Sequence, residues 1–427
     1  CRFCYFSNMN HKLFKMKKII LYLFISQGLF CQNNSMIKEA ELFGISEARL
    51  KYLNKVMHSF VDNGKISCIQ TAIMRRGKLV HFDTYGFKDI KSKLKLKSDD
   101  IFRIYSMTKP IVSVALMTLF EEGKFQLYDP IDKYIPELKK MKVYDNGRFV
   151  DAKNKIKIID LLRHTSGLGY FSNNVDQAVD SLYNEIDFKN ILDNNEFISK
   201  IKNIPLNFDP GTDWKYGLST NVIGYLIEVL SGMGLDEYLE WKIFKPLNMK
   251  DTSFEVPIEN YKRLVTEYTL TKQRKLKPID QTESSRFTKK VTHFSGGGGL
   301  VSTMDDYLIF SQMLLNNGSY KNNRILSPKT IQMMTSDHLN YIFDKEDNEL
   351  LIKGTSFGLG FAVTTDVSET NLLGSKDVFG WGGAAGTFFR IDPKENLIFI
   401  MMIQIKPYKQ LQIREYFQNM VYQSLTE

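Results

Sequence analysis

The sequence predicts an α/β (α+β) fold: one antiparallel sheet flanked by helices, with a mainly helical region inserted between its two halves. Three observations lead there. Each end of the chain reads as a hairpin with a helix beside it. The run from Ile111 to Phe120 has helix length and is apolar almost all round, as a helix buried in a core must be. Residues 124 to about 290 are lysine-rich and irregular, broken by helical pieces.

Taken in order, residues 46 to 63 place Leu50, Leu53, Met57, Phe60 and Val61 at helical spacing and end at Asn63-Gly64. Two strand-like runs follow, 67 to 75 and 78 to 86, with Arg76-Gly77 as the turn. The buried helix after Pro110 stops at Glu121-Glu122-Gly123, and Pro110 suits a first turn, where a backbone N–H has no intrahelical partner anyway. In the middle, Ile158 to Arg163 and Thr220 to Leu230 are the clearest helices, the second closing at Ser231-Gly232. Gly358 to Thr365 offers a strand, Thr387 to Ile391 and Leu397 to Ile405 flank the turn at Asp392-Pro393, and residues 409 to 424 look helical.

The composition, 43% hydrophobic and 25% charged, is that of a globular protein, and 427 residues suffice for one large or two closely joined domains. The net charge of +9 is partly a terminal effect. Residues 1 to 31 carry five basic residues and no acid, so without them the charge falls by five to +4, too little and too scattered for a nucleic-acid partner. Met16-Lys17-Lys18, the apolar stretch Ile19 to Phe30 and the polar exit from Cys31 follow the pattern of a secretory signal. Twelve mostly apolar residues fall short of the roughly 20 that span a bilayer, so no stable membrane span is expected. Residues 1 to 15, before Met16, read as upstream translation, and the protein is expected in the periplasm or outside the cell. Beyond that segment Cys68 is the last cysteine, so neither a disulfide framework nor a cysteine metal site is available, and Cys68 itself reads as a small buried hydrophobe in a strand.

Ser106 lies at the start of the buried helix with Lys109 three residues on. A serine at the positive end of a helix, one turn from an amine, can be a nucleophile with its own base. The Ser-x-x-Lys pattern itself is weak, since it recurs at Ser35, Ser92 and Ser199; only the copy at Ser106 opens a core helix. A Gly-x-Ser-x-Gly at Gly354-Thr-Ser356-Phe-Gly358 lacks the helix that such a nucleophile elbow requires. The six histidines form no metal-binding spacing, and His164 reads as a hydrogen-bonded structural residue. Two further stretches stand out: Asp209-Pro-Gly before Tyr216 at the start of a helix, and Trp381-Gly382-Gly383 before a strand.

Together and in this order, Ser106-x-x-Lys109, Leu161 to Gly167, Tyr216, Ser295 to Thr303 and Trp381-Gly-Gly resemble the penicillin-recognising serine hydrolases, and most of all class C β-lactamase-like proteins and the carboxylesterases that share their fold. The resemblance covers nearly all the chain after the signal-like segment. It implies a β-lactamase/transpeptidase-like domain over 36–427, with a sheet subdomain from about 36–123 and 291–427 and a helical subdomain from about 124–290. It also implies Ser106 as nucleophile, Lys109 assisting its deprotonation and Tyr216 relaying the proton. The backbone N–H groups of Ser106 and Ala384 would hold the oxyanion, with Gly382, Gly383, Trp381 and Leu218 beside the substrate. No metal or cofactor is implied, and the partner is a small-molecule ester or acyl substrate. As a base near neutrality, a lysine needs its pKa lowered by about three, ~4 kcal/mol, which burial can supply.

Two departures narrow the expectation. Where β-lactamases carry Tyr-x-Asn, Tyr216-Gly217-Leu218 has leucine, and where Lys-Thr-Gly is common, Trp381-Gly382-Gly383 stands. Loss of a polar side chain and a cation is closer to the esterase and acyltransferase branch, so a carboxylesterase is expected. The rivals are a β-lactamase or D-Ala-D-Ala peptidase, and a non-catalytic envelope sensor; the intact Ser106, Lys109 and Tyr216 set argues against the last.

Overall fold

The computed structural model describes residues 39–170, 178–188, 190–340 and 350–427. The signal-like segment lies outside the described residues. No described helix is long and apolar enough to cross a membrane.

Helix α1 (Glu47–Asp62) starts where the Ser46 side chain accepts the Arg49 N–H, and it buries Leu50, Leu53, Met57 and Phe60 along one stripe. Strands β1 (Cys68–Arg75) and β2 (Lys78–Asp89) then form a hairpin. Its turn residues Arg76 and Gly77 both have positive φ, +50° and +76°, the geometry whose twist matches that of paired strands. After β3 (Leu94–Lys95) the chain leaves the sheet. It returns as β4 (Thr355–Phe357), β5 (Ala362–Thr364), β6 (Phe379–Gly382), β7 (Phe388–Asp392) and β8 (Leu397–Met402). The sheet order is β4-β5-β6-β7-β8-β1-β2-β3, every neighbouring pair antiparallel, so the two chain ends meet where β8 pairs with β1.

The two-residue period of a strand divides these central residues between two cores. Ile69, Ile73, Phe399 and Met401 pack with α1 and with the C-terminal helix Ile413–Tyr422. Cys68, Ala72, Ile398, Ile400 and Met402 face the larger core on the other side, built on helices Thr108–Glu121, Ser219–Ser231 and Met304–Leu315. We number these four helices α2 (Thr108–Glu121), α3 (Ser219–Ser231), α4 (Met304–Leu315) and α5 (Ile413–Tyr422). All six residues of β8 are buried, as a strand covered on both faces requires. Cys68 is among them in character: a free, fully buried thiol whose pKa burial pushes up to about 12.

Helix α2 is buried almost throughout, from Thr108 to Leu119, and ends with Gly123 at φ +73° while Lys124 N–H returns to Leu119 O. It packs against α3, which closes at Gly232, φ +73°. Between residues 124 and 290 the structure also holds two hairpins, 142–151, largely exposed, and 267–280, whose first strand is partly buried, where the sequence suggested helices and irregular chain. The stretch from Gly358 to Thr365 is not one strand either. Strand β4 ends before Gly358, the chain turns through Gly360 at φ +98°, and only Ala362–Thr364 rejoins the sheet.

Candidate active site

Phe102–Arg103 pairs with Val301–Ser302, and Ile104 N–H donates to Leu300 O. This small ladder lays the segment leading into α2 alongside the end of the glycine run Gly296 to Gly299. A 3-10 turn, Tyr105–Met107, then precedes α2, so Ser106 sits in a tight turn at the helix entrance rather than within the helix. Tyr105 takes φ +44°, a left-handed conformation that costs a tyrosine about 1–2 kcal/mol. It is held by its hydroxyl, which donates to Glu267 Oε2 at 2.6 Å, and by Lys406, whose Nζ lies 3.5 Å from the ring centre and 3.3 Å from Glu267 Oε1.

Ser106, Lys109 and Tyr216 converge. The Tyr216 hydroxyl donates to Ser106 Oγ at 2.7 Å, and Lys109 Nζ lies 3.3 Å from the same oxygen. Lys109 is 2% exposed. Its shorter hydrogen bond, 2.6 Å, goes to the carbonyl of Gly297, and its Nζ stands 4.5 Å from the centre of the Tyr216 ring. Burial lowers the Lys109 pKa to about 7 and raises that of Tyr216 to about 12, the latter in spite of the hydrogen bond to Ser106. Near neutral pH the amine can therefore exchange a proton while the phenol remains protonated.

The glycine run is built for close approach. A Cβ on Gly296 would lie 2.5 Å from Thr220 O, and one on Gly297 would lie 2.1 Å from Asn221 Oδ1. Both neighbours belong to α3, so the run sits flat on that helix and presents Gly297 O to Lys109. The sequence singled out this stretch as a landmark but assigned it no role.

Strand β6 brings Trp381, 8% exposed, against Tyr216, ring centres 5.4 Å apart, with Phe357 edge-on to Trp381 at 5.2 Å. Tyr170 adds a further ring 6.4 Å from Tyr216. After β6, Gly383 packs so tightly that a Cβ would lie 2.4 Å from Ile104 O, two residues before Ser106, while Ala384 is exposed. Gly382 lies between, at the end of the strand. Leu218, by contrast, is 3% exposed and packs in the larger core, its N–H bonded to Gly169 O.

His164 is buried beside Tyr216, ring centres 4.9 Å apart, and its Nδ1 accepts the Gly217 N–H at 3.4 Å. Burial, then the nearby Lys109, holds its pKa well below the ordinary value, so it is a neutral support for the tyrosine segment. Ser356 lies in β4, wholly buried, and its hydroxyl donates to Asp337; no helix follows it. Among the described residues no cluster of His, Cys, Asp or Glu has metal-binding geometry.

A family model described as Beta-lactamase matches residues 53–419. An uncharacterized protein of Mycobacterium tuberculosis is 33% identical over 360 residues, covering 81% of this chain and 88% of the relative. A Bacillus subtilis protein named N-acetylmuramyl-L-alanine amidase is 25% identical over 412 residues, covering 89% of this chain and 87% of the relative. Among solved structures, EstCE1, described as a hydrolase with promiscuous acyltransferase activity, superposes with a TM-score of 0.76 at 22% identity, covering 88% of this chain and 99% of that one.

Proposed function

The chain belongs to the Beta-lactamase family of serine hydrolase folds, and from that premise we propose that it is an exported carboxylesterase acting through an acyl-enzyme on Ser106. The observation that supports this most is the convergence of the Lys109 amine and the Tyr216 hydroxyl on Ser106 Oγ, with burial lowering the amine's pKa to about 7. A pure binding module needs no such pair.

In this reaction Ser106 Oγ attacks the ester carbonyl carbon, and its proton passes to neutral Lys109. The negative charge moves to the carbonyl oxygen, between the N–H groups of Ser106 and Ala384, each donor typically contributing ~3 kcal/mol. As the C–O bond breaks, the alkoxide takes a proton from Lys109 through the Tyr216 hydroxyl and leaves as the alcohol. Water then attacks the acyl group, gives its proton back along the same route, and frees the acid and Ser106.

The preference for esters rests on the walls. Trp381 stands where a lysine would meet a carboxylate, and with Phe357, Tyr170 and Tyr216 it makes the site aromatic. Losing one charge-assisted hydrogen bond, ~1.5–3 kcal/mol, weakens a β-lactam roughly ten- to a hundredfold. Short-chain p-nitrophenyl esters are therefore expected to exceed penicillins and cephalosporins in kcat/KM on one preparation. A tenfold advantage for a cephalosporin would refute the esterase assignment, and a D-Ala-D-Ala peptide in the same panel separates the peptidase reading.

Export rests on the basic and apolar pattern from Met16 to Phe30. N-terminal sequencing of protein expressed from Met16 is expected to begin near Gln32. A cytoplasmic product that keeps residues 16 to 30 would refute export.

A further inference from the structure

Helix α5 begins with a cation in an unfavourable place. Arg414 is its second residue, at the positive end of a ten-residue helix, where the backbone dipole disfavours a guanidinium. No described carboxylate forms an ion pair with it. Its hydrogen bonds all go elsewhere. Nη2 donates to Gly383 O and Thr387 O, each at 2.6 Å, Nε donates to Gly386 O at 3.3 Å, and Nη1 donates to the Tyr408 hydroxyl. The guanidinium also stands 3.9 Å from the centre of the Tyr408 ring.

The three carbonyls belong to a single loop, Gly383 to Thr387, which joins β6 to β7 and carries Ala384. The loop's other side is fixed against Ile104, by the close approach of Gly383 and by the Thr387 hydroxyl, which donates to Ile104 O at 3.4 Å. Arg414 therefore holds one side of the loop while the entrance to α2 holds the other. Gly382 completes the fit, since a Cβ there would lie 2.6 Å from the guanidinium. An arginine suits this task because its planar fork reaches several acceptors at once, which a lysine cannot do.

We infer that Arg414 is a positioning residue for the oxyanion loop: by clamping the carbonyls of Gly383, Gly386 and Thr387 it aims the Ala384 N–H at the developing oxyanion. Arg414 makes no hydrogen bond to Ser106, Lys109 or Tyr216; its bonds go to the loop carbonyls and Tyr408. Its effect is carried by backbone placement, and a donor misaimed by a fraction of an ångström loses most of its worth in the transition state. This inference rests on the acyl-enzyme reading above.

The test uses Arg414→Met and Arg414→Lys on the full chain, each with an ester and with the corresponding thiono ester. Sulfur accepts hydrogen bonds poorly, so a well-aimed oxyanion donor favours the oxygen ester in particular. Arg414→Met is expected to lower kcat for the oxygen ester roughly a hundredfold with KM changed by less than about threefold. Its ratio of oxygen-ester to thiono-ester turnover is expected to fall roughly tenfold. Arg414→Lys, which keeps the charge, is expected to lie between; it carries the test if the methionine variant does not fold. Equal slowing of both esters, or an unchanged kcat in the folded lysine variant, would overturn the inference. Fluorophosphonate labelling of Ser106 in the unsubstituted protein shows separately whether the acyl-enzyme reading holds.

Discussion

Ser106→Ala is expected to lower ester turnover by roughly ten-thousandfold or more and to abolish labelling by a fluorophosphonate. The expectation follows from convergence: both the buried amine and the phenol place a polar atom within hydrogen-bond distance of one oxygen, Ser106 Oγ. No other described serine has that company. Ser356, the alternative from its flanking glycines, spends its hydroxyl on Asp337 inside the sheet. Peptide mapping of the labelled protein decides the matter. A phosphonate on Ser356, or full labelling of the alanine variant, would remove Ser106 from the reaction.

The second large effect concerns protons. Lys109→Ala and Tyr216→Phe are each expected to lower kcat by roughly 10²–10⁴-fold, the usual worth of general acid–base catalysis. The two differ in pH behaviour. Only the neutral amine can take the serine proton, so in the unsubstituted enzyme kcat/KM is expected to rise with pH and level off above about 7. Tyr216→Phe should keep that rise at lower amplitude, because the phenol is protonated throughout the range. Lys109→Ala should lose it. A rise that survives in Lys109→Ala would assign the titration to another group. The same shift acts on stability. The folded-state pKa of Lys109 lies below its unfolded value, so between about pH 7 and 10 the unfolded chain binds more protons and this residue makes stability rise with pH. Below that window the folded protein carries the full cost of a buried ammonium.

The fold was legible where local signals and burial agree. Pro110 and Gly123 bracket α2, Arg76-Gly77 marks the β1–β2 turn, and Leu50, Leu53, Met57 and Phe60 trace the buried stripe of α1. The failures have physical causes. The hairpin at 142–151 has largely exposed strands, and in that at 267–280 the exposed strand Leu276–Asp280 faces a short, partly buried one, Glu267–Leu270, too brief for its alternation to stand out. The break at Gly360 was hidden because Leu359, Phe361 and Val363 keep a strand-like alternation through a turn.

At the site, Ser106 and Lys109 share one helix entrance and could be read locally, whereas Tyr216 and Trp381 needed the resemblance. Leu218 was expected beside the substrate because it occupies the third place of a motif; its side chain, like those of Trp381 and Phe357, belongs to the larger core. Arg414 escaped notice since its partners are backbone carbonyls some thirty residues upstream. Nothing in the letters around an arginine says that it will meet a loop rather than water.

The acceptor that holds Lys109, the carbonyl of Gly297, has a consequence for how this catalyst can change. A backbone oxygen is written by no codon, so no single substitution deletes it and a side-chain scan would record no contribution from it. Its position is the variable, and that position depends on Gly296 and Gly297 lying flat on α3. Mutational variation can therefore shift that contact only indirectly, by lifting or lowering a short piece of main chain. This one contact is out of reach of a side-chain change and sensitive at two residues that have no side chain at all.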